Sequence, residues 1–298
     1  MLIGINAGFG DPIAADLPLL EHLGFDVVRE DIRSHRSDAD VQELLTEFLG
    51  RPIALLVLLG GGHIERPDGG RVEPHELAAH AARVWRMARD IGLPDLRFEV
   101  GNEPDLAHEG YRTRPQDFAT AIQQTRDALR GGGFRGDIIT GGIANLSTAN
   151  LQYLDRMLRA GLPDDVIVGF HRYPRGMDPE KPHRQFRSRE AEWDALIGLA
   201  GKRPVACTEF GHHTAPRRYR IFFKKRVTDA QVADHVEYDL DFFERHGCVL
   251  AAVYQLNDGG RDIAVDRYGI RRTDRTLKEV AFRIRERERV ERAQLAGG

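Results

Sequence analysis

The sequence predicts an α/β chain folded as a single (β/α)8 barrel, and three observations carry that expectation. Short apolar runs alternate with longer amphipathic stretches from one end of the 298 residues to the other. Several amphipathic stretches open on Pro, Asp, Ser or Thr and close near glycine, as capped helices do. No linker or shift of composition divides the chain, so residues 1–298 read as one domain at the upper end of single-domain length.

The apolar runs expected as strands are Leu2–Asn6, Phe25–Glu30, Ile53–Leu59, Leu96–Gly101, Asp137–Gly141, Val166–His171, Pro204–Glu209 and Val249–Leu256. Helical stretches fall between them, at Pro12–Leu23, Asp38–Leu49, Pro74–Ile91, Pro115–Leu129, Thr148–Ala160, Arg189–Leu199 and Thr228–His246. A last one runs from about Arg275 to Arg292. The Asp137 run is the shortest on apolar content. An open doubly wound sheet is the competing arrangement. Against it, Gly4-Ile5-Asn6-Ala7-Gly8-Phe9-Gly10 lacks dinucleotide-loop spacing, and no phosphate-loop lysine follows.

Composition narrows the function classes. With 43 basic and 46 acidic residues the formal charge is −3, which exerts no global pull on nucleic acid or a membrane surface. No apolar run reaches membrane-spanning length. The N-terminus begins as a strand and lacks the basic head and apolar core of an export signal. The expected location is therefore cytoplasmic, with secretion open to a chain whose leader has been removed. Cys207 and Cys248 fall in strands without metal-binding spacing and read as buried thiols, one disulfide being the alternative. Oligomeric state is not encoded in any legible motif.

In a barrel of this kind chemistry gathers where strands end. The first strand ends in Asn6, the second carries Arg29, and the third runs into Gly60-Gly61-Gly62-His63. The fourth ends in Phe98-Glu99-Val100-Gly101-Asn102-Glu103-Pro104-Asp105, where Pro104 ends the strand and biases Glu103 toward an extended backbone at the strand's C-terminal lip. The sixth gives Phe170-His171-Arg172-Tyr173-Pro174, the seventh Cys207-Thr208-Glu209-Phe210-Gly211, and the eighth Tyr254-Gln255-Leu256-Asn257. Any one of these has a plain structural reading: a polar turn, a buried histidine, an ion-paired arginine, packed tyrosines. Together they place Glu103 and Glu209 across one barrel mouth. Two carboxylates about 5–5.5 Å apart are the equipment of retaining glycoside hydrolysis.

On those segments the chain resembles the clan A glycoside hydrolases, barrels with the acid/base on strand four and the nucleophile on strand seven. The resemblance implies that Glu103 is the acid/base and Glu209 the nucleophile, acting on an O-glycosidic bond of a poly- or oligosaccharide without metal or cofactor. It further implies that Asn102 contacts the sugar 2-hydroxyl and that Arg29 and Tyr173 hold Glu209 ionised. His171 would line the floor, with Asn6 and Gln255 as supporting groups. Many members place a tryptophan at the end of strand eight. Here Tyr254-Gln255 occupies that position, while Trp85 and Trp193 fall on helices as packing residues.

Other readings stay open at this stage. A transglycosylase would use the same carboxylates, and a carbohydrate-binding barrel could keep the pocket without the reaction. A metal-dependent isomerase or endonuclease barrel would draw on His63, Glu65, Glu99, Glu103, His108, His171, His212 and His213, which show no ligand spacing. After strand seven, Arg217, Arg218, Arg220, Lys224, Lys225 and Arg226 alternate with Tyr219, Phe222 and Phe223. That loop is either a solvated surface or a contact for an anionic glycan.

Overall fold

The structure is a computed structural model that describes residues 1–7, 13–60, 73–106, 114–174, 178–214, 227–259 and 266–296, with side chains to residue 290. Its eight strands are β1 (Leu2–Asn6), β2 (Val27–Asp31), β3 (Ala54–Leu59), β4 (Leu96–Val100), β5 (Ile138–Thr140), β6 (Val168–Arg172), β7 (Val205–Phe210) and β8 (Leu250–Val253). They pair in parallel in the order β5-β4-β3-β2-β1-β8-β7-β6. The ring closes between β5 and β6, where Thr140 N donates to Ile167 O and Ile167 N to Ile138 O, both at 2.9 Å. Beside them Gly169 N donates to the Thr140 hydroxyl. The short apolar run of β5 explains why this seam is held by single bridges and a side chain rather than a full ladder.

The surrounding helices are α1 (Leu17–Leu23), α2 (Asp38–Thr46), α3 (Pro74–Asp90), α4 (Pro115–Gly131), α5 (Thr148–Arg159), α6 (Arg189–Ala200), α7 (Asp229–Arg245) and α8 (Glu279–Ala296). Their starts follow the caps: the hydroxyls of Ser37, Ser147, Ser188 and Thr228 each accept from a backbone N–H in the first turn. Most ends shift by one to three residues from the expected ones, and two helix starts differ for a clear local reason. The first helix is preceded by a 3-10 turn at Ile13–Asp16, because Pro18 fits only the opening turn of an α-helix. The last begins at Glu279, since Arg275 adopts φ +68° and breaks any helix started there.

Alternation along each strand sorts side chains between two cores. Val27, Leu56, Ile139, Ile167, Ala206 and Leu250 fill the lumen. Phe98, Val100, Phe170, Cys207, Phe210 and their neighbours pack outward against the helices. Trp193 is buried between Phe170 and Phe242, and Trp85 sits edge-on to Phe134, so both tryptophans pack as expected. Cys207 and Cys248 are free and buried, and burial pushes the Cys248 thiol up to about 12. Among the described residues no helix is long and apolar enough to cross a membrane.

Candidate active site

Above the apolar lumen layer the barrel interior turns polar, and Arg29 on β2 is its centre. The guanidinium is 4% exposed and reaches four partners. It donates to Glu99 from Nε at 2.5 Å and Nη2 at 3.1 Å, to Asn6 Oδ1 from Nη1 at 2.6 Å, to Glu209 Oε1 from Nη1 at 2.7 Å, and to Asn102 Oδ1 from Nη2 at 2.8 Å. A planar fork of donors suits this task, since one cation can orient several acceptors at fixed angles. Its neighbours Glu30 and Asp31 pair instead with Arg36 and Arg33. Burial lowers the Arg29 pKa, but the charges of Glu99 and Glu209 outweigh it and the net shift is upward.

Glu209 reaches this centre through an irregularity. Strict alternation would put Ala206 and Thr208 inside the barrel and turn Cys207 and Glu209 toward the helices. The register between β6 and β7 slips, so Phe170 faces Cys207 while His171 faces Glu209. The extra residue is Thr208, and the bulge lets Thr208 and Glu209 both face inward. Asn6 satisfies the displaced backbone: its Nδ2 donates to Thr208 O at 3.2 Å and Val253 O at 3.3 Å. The outer Glu209 oxygen, Oε2, accepts from the Tyr173 hydroxyl at 2.6 Å. Burial raises the Glu209 pKa. The charges of His171 and Arg29, with the Tyr173 and Arg29 hydrogen bonds, more than reverse this and hold the carboxyl below its ordinary value.

On the opposite lip the chain turns sharply after β4. Gly101 has φ +78° and Glu103 φ +43°, and Glu103 N donates to Gly142 O at 3.0 Å. Glu103 is thus left-handed rather than extended as Pro104 alone would favour, an uncommon state for a non-glycine residue, held here by that bond and by the turn closed by Leu106 N on Glu103 O. His171 lies between the two glutamates, its Nδ1 3.0 Å from Glu103 Oε1 and 3.6 Å from Glu209 Oε2. One oxygen of each carboxylate and one histidine nitrogen all lie within 4.8 Å of one another. Burial lowers the His171 pKa, but the Glu209 charge and the bond to Glu103 prevail and the imidazole is held above its usual value. A side chain at position 142 would collide with the His171 ring, so only glycine fits there.

Two groups outside the set expected for a glycosidase complete the site, Glu99 being expected from the sequence only as a metal ligand. Glu99 is fully buried and also accepts from the Thr208 hydroxyl at 2.8 Å and Gly142 N at 3.2 Å. Tyr268 packs edge-on to Tyr173 at 5.3 Å and to Tyr254 at 5.8 Å, making a tyrosine wall beside Glu209. Glu99 had one sequence signal, a charge in the middle of a buried strand, which demands a partner. Tyr268, beyond a loop after β8, had none.

Of the expected residues, Asn6, Arg29, Asn102, Glu103, His171, Tyr173 and Glu209 form one connected cluster. Gln255 is buried just beyond β8, after a cis Tyr254–Gln255 peptide, and among the described residues no hydrogen bond joins its side chain to that cluster. Gly61, Gly62, His63, Glu65, His108 and the basic stretch 217–226 lie outside the described residues.

The metal reading needs one correction: His171, Glu103 and Glu209 do converge, although sequence spacing scatters them. Their donor set is a poor fit for a cation. Both Glu209 oxygens are already engaged, by Arg29 and Tyr173, and an ion would sit against a buried guanidinium. His212 is not at the mouth; its Nε2 bonds buried Asp239 at 2.7 Å on α7. Asp239 also pairs with Arg189 at 2.7 Å and Arg172 at 3.1 Å, an ionic knot behind the β6 lip that fixes the backbone between His171 and Tyr173.

The chain matches no protein-family model and no functionally curated protein. Solved structures do resemble it. A family 39 glycoside hydrolase from Bacteroides cellulosilyticus superposes with a TM-score of 0.73 at 14% identity, over 95% of this chain and 62% of that one. An endo-laminarinase from a Formosa strain gives 0.67 at 14% identity, over 96% and 87% of the two chains. A β-1,3-glucanosyltransferase from Rhizomucor miehei gives 0.62 at 15%, over 94% and 96%. The chain thus spans less than two thirds of the family 39 structure but nearly all of the transferase. At such identities the likeness is one of fold: the chain is a (β/α)8 barrel of the architecture these carbohydrate-active enzymes use.

Proposed function

We propose that the chain is a retaining glycoside hydrolase. The observation that carries this reading is the convergence of Glu103 and Glu209 from opposite lips, with oxygens within 4.8 Å and His171 between them. That spacing suits direct attack on an anomeric carbon; inverting enzymes need about 6.5–9.5 Å to admit a water. Glu209, ionised by its surroundings, attacks the anomeric carbon. The glycosidic C–O bond breaks, and protonated Glu103 gives its proton to the leaving oxygen. A water then enters, Glu103 takes its proton, and the hydroxide oxygen displaces Glu209 with a second inversion. Asn102, oriented by accepting from Arg29, offers its amide N–H groups to the sugar 2-hydroxyl.

The sugar is bounded by chemistry rather than identity. Tyr173, Tyr254 and Tyr268 give an aromatic wall with hydroxyl groups in place of an indole platform. The same glycosyl-enzyme would serve transglycosylation if a sugar acceptor outcompetes water. A screen of aryl glycosides and polysaccharides, followed by proton NMR of the first product, tests the reading. Retained anomeric configuration is expected; inversion would sink the assignment. Products lengthened by an added acceptor sugar would move it to transglycosylation.

A further inference from the structure

We infer that Glu99 is the standing counterion of Arg29, which lets Glu209 lose its charge during the covalent step. The inference rests on the glycosidase reading for its purpose but on geometry for its substance. Arg29 is a buried cation with two carboxylate partners, Glu99 and Glu209. Only Glu209 lies open to the mouth, with 10% of its side chain exposed against 0% for Glu99. Glu99 is gripped by two Arg29 nitrogens, the Thr208 hydroxyl and Gly142 N, so both its oxygens are engaged, and the side chain is fully buried away from the mouth. It is a positioning residue and not a catalytic one.

When Glu209 attacks, its negative charge becomes an ester, and the charge reappears on Glu103 as the leaving oxygen takes the proton. Total charge in the site is unchanged, but its place shifts from the Arg29 side to the His171 side. Without Glu99 the guanidinium would then be a buried, uncompensated cation, the situation that buried ion pairs penalise most. With Glu99 it remains half of a neutral pair throughout the cycle. The contacts to Thr208 and Gly142 keep that pair fixed while Glu209 changes state.

The test uses Glu99→Gln, which keeps the shape and removes the charge, and Glu99→Asp, which keeps the charge. Carbon-13 NMR of δ-labelled glutamate follows the Glu209 titration in the free protein, with Glu209→Gln assigning the signal. Removing the second anion leaves Arg29 acting on Glu209 alone, so the Glu209 titration should move to lower pH in Glu99→Gln and stay near the parent in Glu99→Asp. An unchanged or raised Glu209 titration in folded Glu99→Gln overturns the inference. If Glu99→Gln does not fold, Glu99→Asp carries the test alone: its Glu209 titration should stay near the parent, and a clear shift in either direction overturns the inference. On an aryl glycoside that the parent hydrolyses, Glu99→Gln should slow glycosylation by about tenfold or more, one lost charge contact. Deglycosylation should not slow; equal loss in both steps overturns the counterion role. Should the parent cleave no glycoside, the titration still decides Glu99 while the glycosidase reading fails separately.

Discussion

Arg29 Nη1 and Glu209 Oε1 lie 2.7 Å apart, and this contact joins the second strand to the seventh across the barrel. The arginine is fixed from below by Glu99 and from the side by Asn6. The glutamate therefore meets a cation that cannot follow it away. A carboxylate so held stays an anion, and on the proposed glycosidase reading the reactivity of the site should depend on that charge.

Removing the charge should abolish turnover. Glu209→Ala is expected to lose on the order of 10⁶-fold in kcat, the scale seen when a nucleophile that acts as part of a unit is deleted. Added azide should restore release of the aryl group and form a glycosyl azide of inverted configuration. Full activity in the variant would remove Glu209 from the mechanism.

Glu103→Gln should separate substrates by their leaving groups. A general acid contributes roughly 10²–10⁴-fold. The loss is expected in full for an alkyl or sugar aglycone and should nearly vanish in the glycosylation of a dinitrophenyl glycoside. A uniform loss across leaving groups would contradict the proton-donor role.

The pH profile follows from the depressed Glu209 carboxyl. A carboxylate whose folded pKa lies below the ordinary 4.5 is active above that value and lost as pH falls through the lower one. The acid limb of kcat/KM should therefore lie below 4.5. Tyr173→Phe removes a donor to the anion, a bond worth about 1.5–3 kcal/mol, and should move the limb to higher pH. A steady-state pH series on both proteins makes the comparison.

Glu30 gives a stability prediction of opposite sign. Burial raises its pKa from 4.5 to about 7, although Arg36 opposes this. Raised folded carboxylates favour the folded state less as pH climbs, so the penalty is absent below 4.5 and complete above about 7. Glu30→Gln should melt higher than the parent at pH 8 and about equally at pH 4. Scanning calorimetry at the two pH values checks it.

Asp239 is fully buried against Arg172, Arg189 and His212, and burial is outweighed there by the two arginine charges, which hold its carboxyl low. Asp239→Ala leaves those cations without their shared anion and should cost about 3–5 kcal/mol in denaturant unfolding. It should also lower kcat, because Arg172 lies between His171 and Tyr173 in the chain. A loss below 1 kcal/mol would show that the knot carries little of the fold.

The barrel, and the placing of most candidate residues at strand ends, are legible in local patterns of the chain. Strand and helix periodicity, the caps at Ser37, Ser147, Ser188 and Thr228, and the strand-end carboxylates are local patterns, written within a few residues of one another. Tertiary structure decided what depends on distant contacts. Thr208 meets Glu99 from 109 positions away, and the bulge that turns Glu209 inward exists only because β6 and β7 pair out of step. Glu99 is a lone charge in the middle of a strand, and its partner Arg29, 70 residues earlier, forks onto it only in the fold. Tyr268 entered through a return of the chain after β8, and Gln255 stayed outside the cluster for a related reason: a motif fixes which residue stands at a lip, while backbone hydrogen bonding across neighbouring strands fixes where its side chain goes.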